Sequence, residues 1–163
     1  MMPPDLKLEI VSAEQTYRLR QTVLGWRIPG LPLDGNRHSR HFIIHVSDDL
    51  VVGCASCGPS ECPEPSLKNH GAFRFWGAAV LHPFQGRGHG TRLLAEVIRE
   101  AKEQEAGLLW ANARESAVPF YLQKGFRVVG GQFVDILSGL TDRRVVLDLT
   151  QSTFDSSPGS PNP

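Results

Sequence analysis

Residues 75–103 read FWGAAVLHPFQGRGHGTRLLAEVIREAKE, and this stretch constrains how the rest of the chain can fold. Phe75 to Leu81 is an apolar run with the composition of a buried strand. His82-Pro83 stops it, because proline has no N–H to give a ladder. Gly86, Gly88 and Gly90 then occupy every second position of a loop. From His89 to Glu105 the apolar residues Leu94, Val97, Ile98 and Ala101 recur at helical spacing, and Gly107 is a fitting stop. Strand, glycine loop and helix N-terminus together leave several backbone N–H groups pointing outward without an intrahelical partner. Such a site suits an anion.

Spacing separates the devices that use this arrangement. A P-loop needs G-x-x-x-x-G-K-[ST], but Gly90 is followed by Thr91-Arg92, so the phosphate-binding lysine is missing. A dinucleotide fingerprint counted from Gly86 calls for a glycine where the chain has Thr91. What is present is Gln-x-x-Gly-x-Gly, from Gln85 to Gly90. Helix N-termini ordinarily collect acids, yet this one carries Arg87, His89 and Arg92, and its first acid is Glu96. A positive helix end left unneutralised, with cations beside it, suits a polyanion from outside.

The 163 residues suffice for one domain with a good core. Lys plus Arg and Asp plus Glu each number 17, which argues against a nucleic-acid partner, whose binding face is basic. No apolar run approaches the roughly 18 residues of a membrane span. The Met1–Asp5 terminus lacks the basic and apolar regions of a signal peptide. Three cysteines, an odd number, fit a reducing compartment, so the expected location is cytoplasmic.

Leu6 to Val11 alternates apolar and charged residues as a half-buried strand does. Ser12, with Gln15 three residues on, carries a capping-box pattern for a helix that ends at Gly25 and Pro29. Residues 27–40 read as a loop. His41 to Val46 and Leu50 to Ser56 read as a hairpin joined by Ser47-Asp48-Asp49. Residues 58–71 are a loop and Ala72 to Leu81 the central strand. Leu108 to Ala111 is a short strand with Asn112 at its end, and Ala117 to Lys124 a short helix with Pro119 in its first turn. Phe126 to Val134 and Arg144 to Leu149 are the last strands. Met1–Asp5 reads as a tail, and residues 151–163, nearly all Ser, Thr, Pro, Asp, Asn and Gly, as a disordered one. The domain is therefore expected over 6–150, in the order β-α-β-β-β-α-β-α-β-β.

A second motif follows the helix: Asn112-Ala113-Arg114-Glu115-Ser116-Ala117-Val118-Pro119-Phe120-Tyr121-Leu122-Gln123-Lys124-Gly125-Phe126. It resembles the GNAT acyltransferase pattern N-A-R-x-x-A-x-x-F-Y-x-x-x-G-F, and Gln85 to Gly90 resembles the acyl-coenzyme A signature of the same superfamily. The resemblance extends over about Leu8 to Leu149 and is strongest from Phe75 to Phe126.

The resemblance implies an α/β (α+β) fold, a single twisted mixed sheet of about six or seven strands splayed in its middle and flanked by helices. It implies acetyl-coenzyme A as co-substrate, with no metal. The backbone of Gln85, Gly86, Arg87, Gly88, His89, Gly90 and Thr91 would hold its pyrophosphate. Val80 and Leu81 would pair with the pantetheine arm, and Asn112 would reach the arm from the other side. The acceptor would be the primary amine of a small molecule or peptide, with no nucleic acid or membrane partner, and a homodimer is compatible with the family. Tyr121 would give a hydrogen bond or proton to the leaving thiolate, and a backbone N–H near Val80 would meet the oxyanion. Relatives often carry a carboxylate on the central strand as general base, but Arg74-Phe75-Trp76-Gly77-Ala78-Ala79 has none. Glu115, His82 and solvent are the candidates, and capping the next helix is the plainer reading of Glu115. A non-catalytic acyl-coenzyme A-binding module is the alternative reading.

Other features carry less. Cys54, Cys57 and Cys62 with His70 do not make a zinc site, because Cys54 and Cys57 lie three apart on a strand, on opposite faces. His38, His41 and His45 have ligand-like spacing, with a sheet-edge role the plainer reading. Trp26 in the first long loop is a candidate wall of the acceptor pocket, and Arg27, Arg37 and Arg40 would suit an acidic acceptor.

Overall fold

The computed structural model describes residues 6–67 and 71–150. The expected tails and His70 lie outside the described residues. Seven strands form one sheet in the order β1-β2-β3-β4-β5-β7-β6. They are β1 (Lys7–Val11), β2 (Arg40–Ser47), β3 (Leu50–Pro59), β4 (Ala72–Val80), β5 (Leu108–Arg114), β6 (Arg127–Val134) and β7 (Thr141–Asp148). The helices are α1 (Tyr17–Leu24), α2 (His89–Glu103) and α3 (Val118–Gln123). All neighbours are antiparallel except β4 and β5. This is the mixed α+β architecture that the resemblance implied.

The sheet has two different faces. Phe42, Ile44, Val52, Phe73 and Phe75 point to one, where Leu93, Leu94 and Val97 of α2 and Tyr121 of α3 cover them. Each such side chain, fully buried, is worth roughly 1.5–3 kcal/mol. Ile43, Cys54 and Ala79 alternate to the other face and meet Leu19 of α1. Cys54 and Cys57 thus lie in different clusters on opposite faces. Burial pushes the Cys54 thiol up to about 12, so it packs as an inert small apolar group.

Two irregularities in β4 shape the site. Its parallel pairing with β5 lasts only for Ala72, Phe73 and Arg74 against Leu108, Leu109 and Trp110, and beyond them the strands part. Gly77 sits at φ 64 where the β3–β4 register slips between Cys54 and Ser56. Only glycine fits this bulge, because a Cβ there would lie 2.8 Å from Nε of Arg20.

Several boundaries differ from the sequence reading. Ser12 receives Gln15 N–H on its backbone oxygen at 3.2 Å, not on its side chain, so a short 3-10 turn (Ala13–Thr16) opens α1 in place of a capping box. β5 continues through Asn112 to Arg114, because β7 pairs with it along its whole length, and β7 starts three residues earlier than expected, at Thr141. The loop of residues 27–40 contains a 3-10 turn (Pro32–Gly35) held by a buried ion pair.

Candidate active site

Gly86 and Gly88 have φ of 77 and 89, and a Cβ on either would meet nothing within 4 Å. The backbone N–H groups of residues 86–91 have no partner among the described residues. The first N–H in use is that of Arg92, which donates to the Gly88 carbonyl at 3.0 Å. No acid occupies the first turn of α2. Open space, positive dipole and unpaired donors together fit a pyrophosphate-like polyanion. His89 is buried beneath this cradle. Burial, then the charges of Arg87 and Arg92, lower its pKa, so it is a neutral wall and not the cation expected from the sequence.

From the cradle a cleft of about 590 Å³ runs between β4 and α2 to Tyr121, lined by Val80, Gln85, Gly90, Thr91, Leu93 and Phe120 among others. Leu81 donates its N–H to Val52 at 2.8 Å. Its amide is therefore spent on β3, a correction to the expectation that it pairs with the pantetheine arm. Backbone groups alternate sides along a strand, so Val80 turns toward the gap left by β5. The Val80 carbonyl accepts Gln85 Nε2 there at 2.9 Å. Arg87 is exposed with its guanidinium over the Phe84 ring, and does not line the cleft.

Tyr121 stands where this cleft meets a second cavity of about 110 Å³. Its ring is fixed by Phe120, Phe126 and Phe75 at centroid distances of 5.1, 5.4 and 5.5 Å. Burial raises its pKa above the ordinary tyrosine value, which keeps the phenol protonated. The second cavity lies at the splay and is lined by Trp26, Arg74, Trp76, Asn112, Arg114, Asp135 and Asp142, among others. Asn112 faces this cavity, where its Oδ1 accepts Arg144 Nε at 3.2 Å.

A buried network holds the wall of the second cavity. Asp34 accepts Arg20 Nη1 and Nη2 at 2.7 and 2.8 Å, Leu31 N–H at 2.8 Å and Trp76 Nε1 at 2.9 Å. Burial alone would raise the Asp34 pKa, but these donors outweigh it and the net shift is downward. Arg20 also donates to the Pro29 carbonyl and to Ser56, and its guanidinium lies against the rings of Tyr17 and Trp26. His41 bonds Ser56 at 2.7 Å and is held neutral by burial, while His45 bonds Glu9.

The other candidates lie elsewhere. Glu115 accepts both bonds from Gln132 Nε2 at 2.8 Å, His82 is exposed, and neither lines a cavity. Arg27, Arg37 and Arg40 line neither cavity, and Arg40 pairs with Glu100 at 3.8 Å, which corrects their expected role toward an acidic acceptor. Asp142, Asp135 and Arg74 were not singled out from the sequence. Asp142 fell outside the expected last strand, and only the β5–β7 pairing, which sets it opposite Arg114, could have exposed it.

A splayed mixed sheet with a glycine cradle at the head of the helix after the central strand defines an acyltransferase fold. The profile described as Acetyltransferase (GNAT) family matches residues 10–126, and the chain belongs to that family. Among curated proteins none matches its sequence. Similar solved structures include FeeM, an N-acyl amino acid synthase from uncultured soil microbes, at TM-score 0.71 and 13% identity, covering 90% of this chain and 92% of that one. A GNAT family acetyltransferase from Elizabethkingia anophelis with acetyl-CoA bound has TM-score 0.62 and 15% identity, over 89% and 99%. The ribosomal-protein-S18-alanine N-acetyltransferase from Escherichia coli has 0.66 and 15%, over 88% and 94%. No helix among the described residues is long and apolar enough to cross a membrane, and none of those residues form a metal-ligand cluster.

Proposed function

We propose that residues 6–150 transfer an acetyl group from acetyl-coenzyme A to a primary amine, by direct attack while both are bound. The observation that carries this reading is the meeting of two cavities at Tyr121, one of them headed by the unpaired N–H groups of residues 86–91. A bound thioester supplies the activated acyl group. The N–H groups of residues 86–91 hold the pyrophosphate, that of Gln85 being spent on the His82 carbonyl at 3.2 Å, and Val80 offers its gap-facing amide to the arm or to the developing oxyanion. Tyr121, neutral and with no hydrogen bond on its hydroxyl among the described residues, gives a hydrogen bond or proton to the leaving sulfur. Asn112 borders the acceptor side. The E. anophelis acetyltransferase holds acetyl-CoA and the E. coli protein is an N-acetyltransferase, which fits the same chemistry. The thiols Cys54 and Cys57 suit the cytoplasm.

Isothermal titration with acetyl-coenzyme A, followed by thiol release over a panel of primary amines, tests this. Tyr121→Phe should keep the co-substrate affinity and lower thiol release by about 10- to 100-fold. Unchanged turnover in that variant removes Tyr121 from the chemistry. The rival reading, a binding module without turnover, predicts tight binding and no thiol release from any amine.

A further inference from the structure

The second cavity holds more polar groups than it satisfies. Asp135 is spent on its own turn, accepting Leu137 N–H, Ser138 N–H and Ser138 Oγ at 3.3, 3.1 and 2.8 Å. Trp76 is spent on Asp34, Asn112 Oδ1 on Arg144, and Arg114 Nη2 on the Leu24 carbonyl at 2.7 Å. Asp142 is different. Its side chain is 8% exposed and it is the one acceptor here without a hydrogen bond: its Oδ1 is buried and meets only a long ion pair, 4.0 Å from Arg114 Nε, and Nε of Arg114 and of Arg74 are likewise buried without a hydrogen-bond partner among the described residues. A carboxylate oxygen left unpaired in the interior costs free energy that folding alone gives no reason to spend. The backbone at Asp142 is held in place, because β5 pairs with it at Arg114 and β6 at Phe133.

We propose that Asp142 receives the ammonium of a small primary-amine acceptor in this cavity and takes its proton. This rests on the acyltransferase reading above. Burial, then the neighbouring charge of Asp135, pushes Asp142 up to about 6, with Arg114 pulling the other way. Asp142 is thus ionised at neutral pH and still basic enough to accept a proton. The charged groups around it are Arg114 from β5, Asp135 from the β6–β7 turn, Arg74 from β4 and Arg144 two residues along its own strand.

The proton count closes. The acceptor ammonium gives one proton to the Asp142 carboxylate, which later returns it to water. The freed amine nitrogen forms a bond to the thioester carbonyl carbon and the carbon–sulfur bond breaks. The second nitrogen proton ends on the departing sulfur by way of Tyr121 or water. The products are the amide, the free thiol and one proton.

The test uses the whole chain labelled with 13Cγ-aspartate, titrated from pH 4.5 to 8 with n-propylamine hydrochloride as probe and n-propanol as its neutral counterpart. Asp142→Asn assigns the resonance, and Asp142→Glu does so if the first variant fails to fold. The expected result is a carboxyl midpoint near 6 that the amine shifts and the alcohol does not. With acetyl-coenzyme A present, Asp142→Asn should retain its affinity, lose thiol release to the probe by at least about 100-fold, and lose the rise of kcat/KM with pH. An Asp142 resonance indifferent to the amine overturns the proposal, as does turnover that keeps its pH limb in the variant. Failure of the wild type to bind acetyl-coenzyme A would instead sink the acyltransferase reading, and the amine-dependent shift would still be readable by itself.

Discussion

The glycine-headed cleft and the second cavity meet at Tyr121, yet the head of one is made of backbone and the other of side chains. The cradle is contiguous: residues 86–91 carry its unpaired N–H groups, and its glycines leave open space above them. The cavity draws on Trp26, on Trp76 and Arg74 of β4, on Asn112 and Arg114 of β5, and on Asp142 of β7. A backbone site tolerates change in nearly every side chain except those that intrude. A side-chain site depends on partners far apart in sequence, so it should be costly to break and easy to retune.

If that contrast is right, the largest stability loss lies in the cavity wall. Asp34→Ala would leave the Arg20 guanidinium buried without its carboxylate, and urea unfolding should register a loss of roughly 3–5 kcal/mol. A loss below about 1 kcal/mol would mean that the wall is held by packing and not by this network.

Gly88→Glu attacks the other half. A Cβ at Gly88 meets nothing within 4 Å, so the fold should survive, although φ of 89 adds strain of about 1–2 kcal/mol for a non-glycine residue. Acetyl-coenzyme A affinity should fall by at least about 100-fold by titration calorimetry, because a carboxylate would enter the proposed anion cradle. A folded variant that binds normally would show that the loop is only a turn.

Asp142→Asn sharpens the comparison through pH. The folded-state pKa of Asp142, about 6, lies above the ordinary 3.8, so the folded protein is penalised once the group ionises. That penalty is absent below about pH 4 and complete above about pH 6. Thermal or urea unfolding should therefore find Asp142→Asn more stable than wild type by about 3 kcal/mol at pH 7.5 and nearly equal to it at pH 4. Equal stability at both pH values would mean that the carboxylate finds a partner in solution.

The same contrast explains what could be read from the chain. The strand, glycine loop and helix from Phe75 to Glu103 were legible because a backbone device needs its residues consecutively, and Tyr121 because its motif is local. The order of elements followed from the alternation of strands and helices, but the insertion of β7 between β5 and β6 has no local signal. Nothing in the local sequence marks Arg20 of α1 as fully buried, because its partner Asp34 lies in a loop of Gly and Pro. Asp142 was invisible for a similar reason, since its neighbours are set by the register of β5 against β7. Glu115 and His82 drew attention by closeness in sequence to the motifs, which does not translate into closeness to either cavity.

The smallest expected effect is the one best able to break the comparison. Arg87 is exposed, lies over the Phe84 ring and does not line the cleft. If backbone donors dominate the cradle, Arg87→Ala should weaken acetyl-coenzyme A binding by no more than about fivefold, the scale of one solvent-screened charge. The difference from wild type should shrink between 50 mM and 500 mM salt, since the screening length falls from above about 10 Å to a few ångströms over that range. A loss approaching that of Gly88→Glu, and insensitive to salt, would mean that Arg87 closes over the bound anion and is desolvated by it. The cradle would then depend on a side chain as much as the second cavity does.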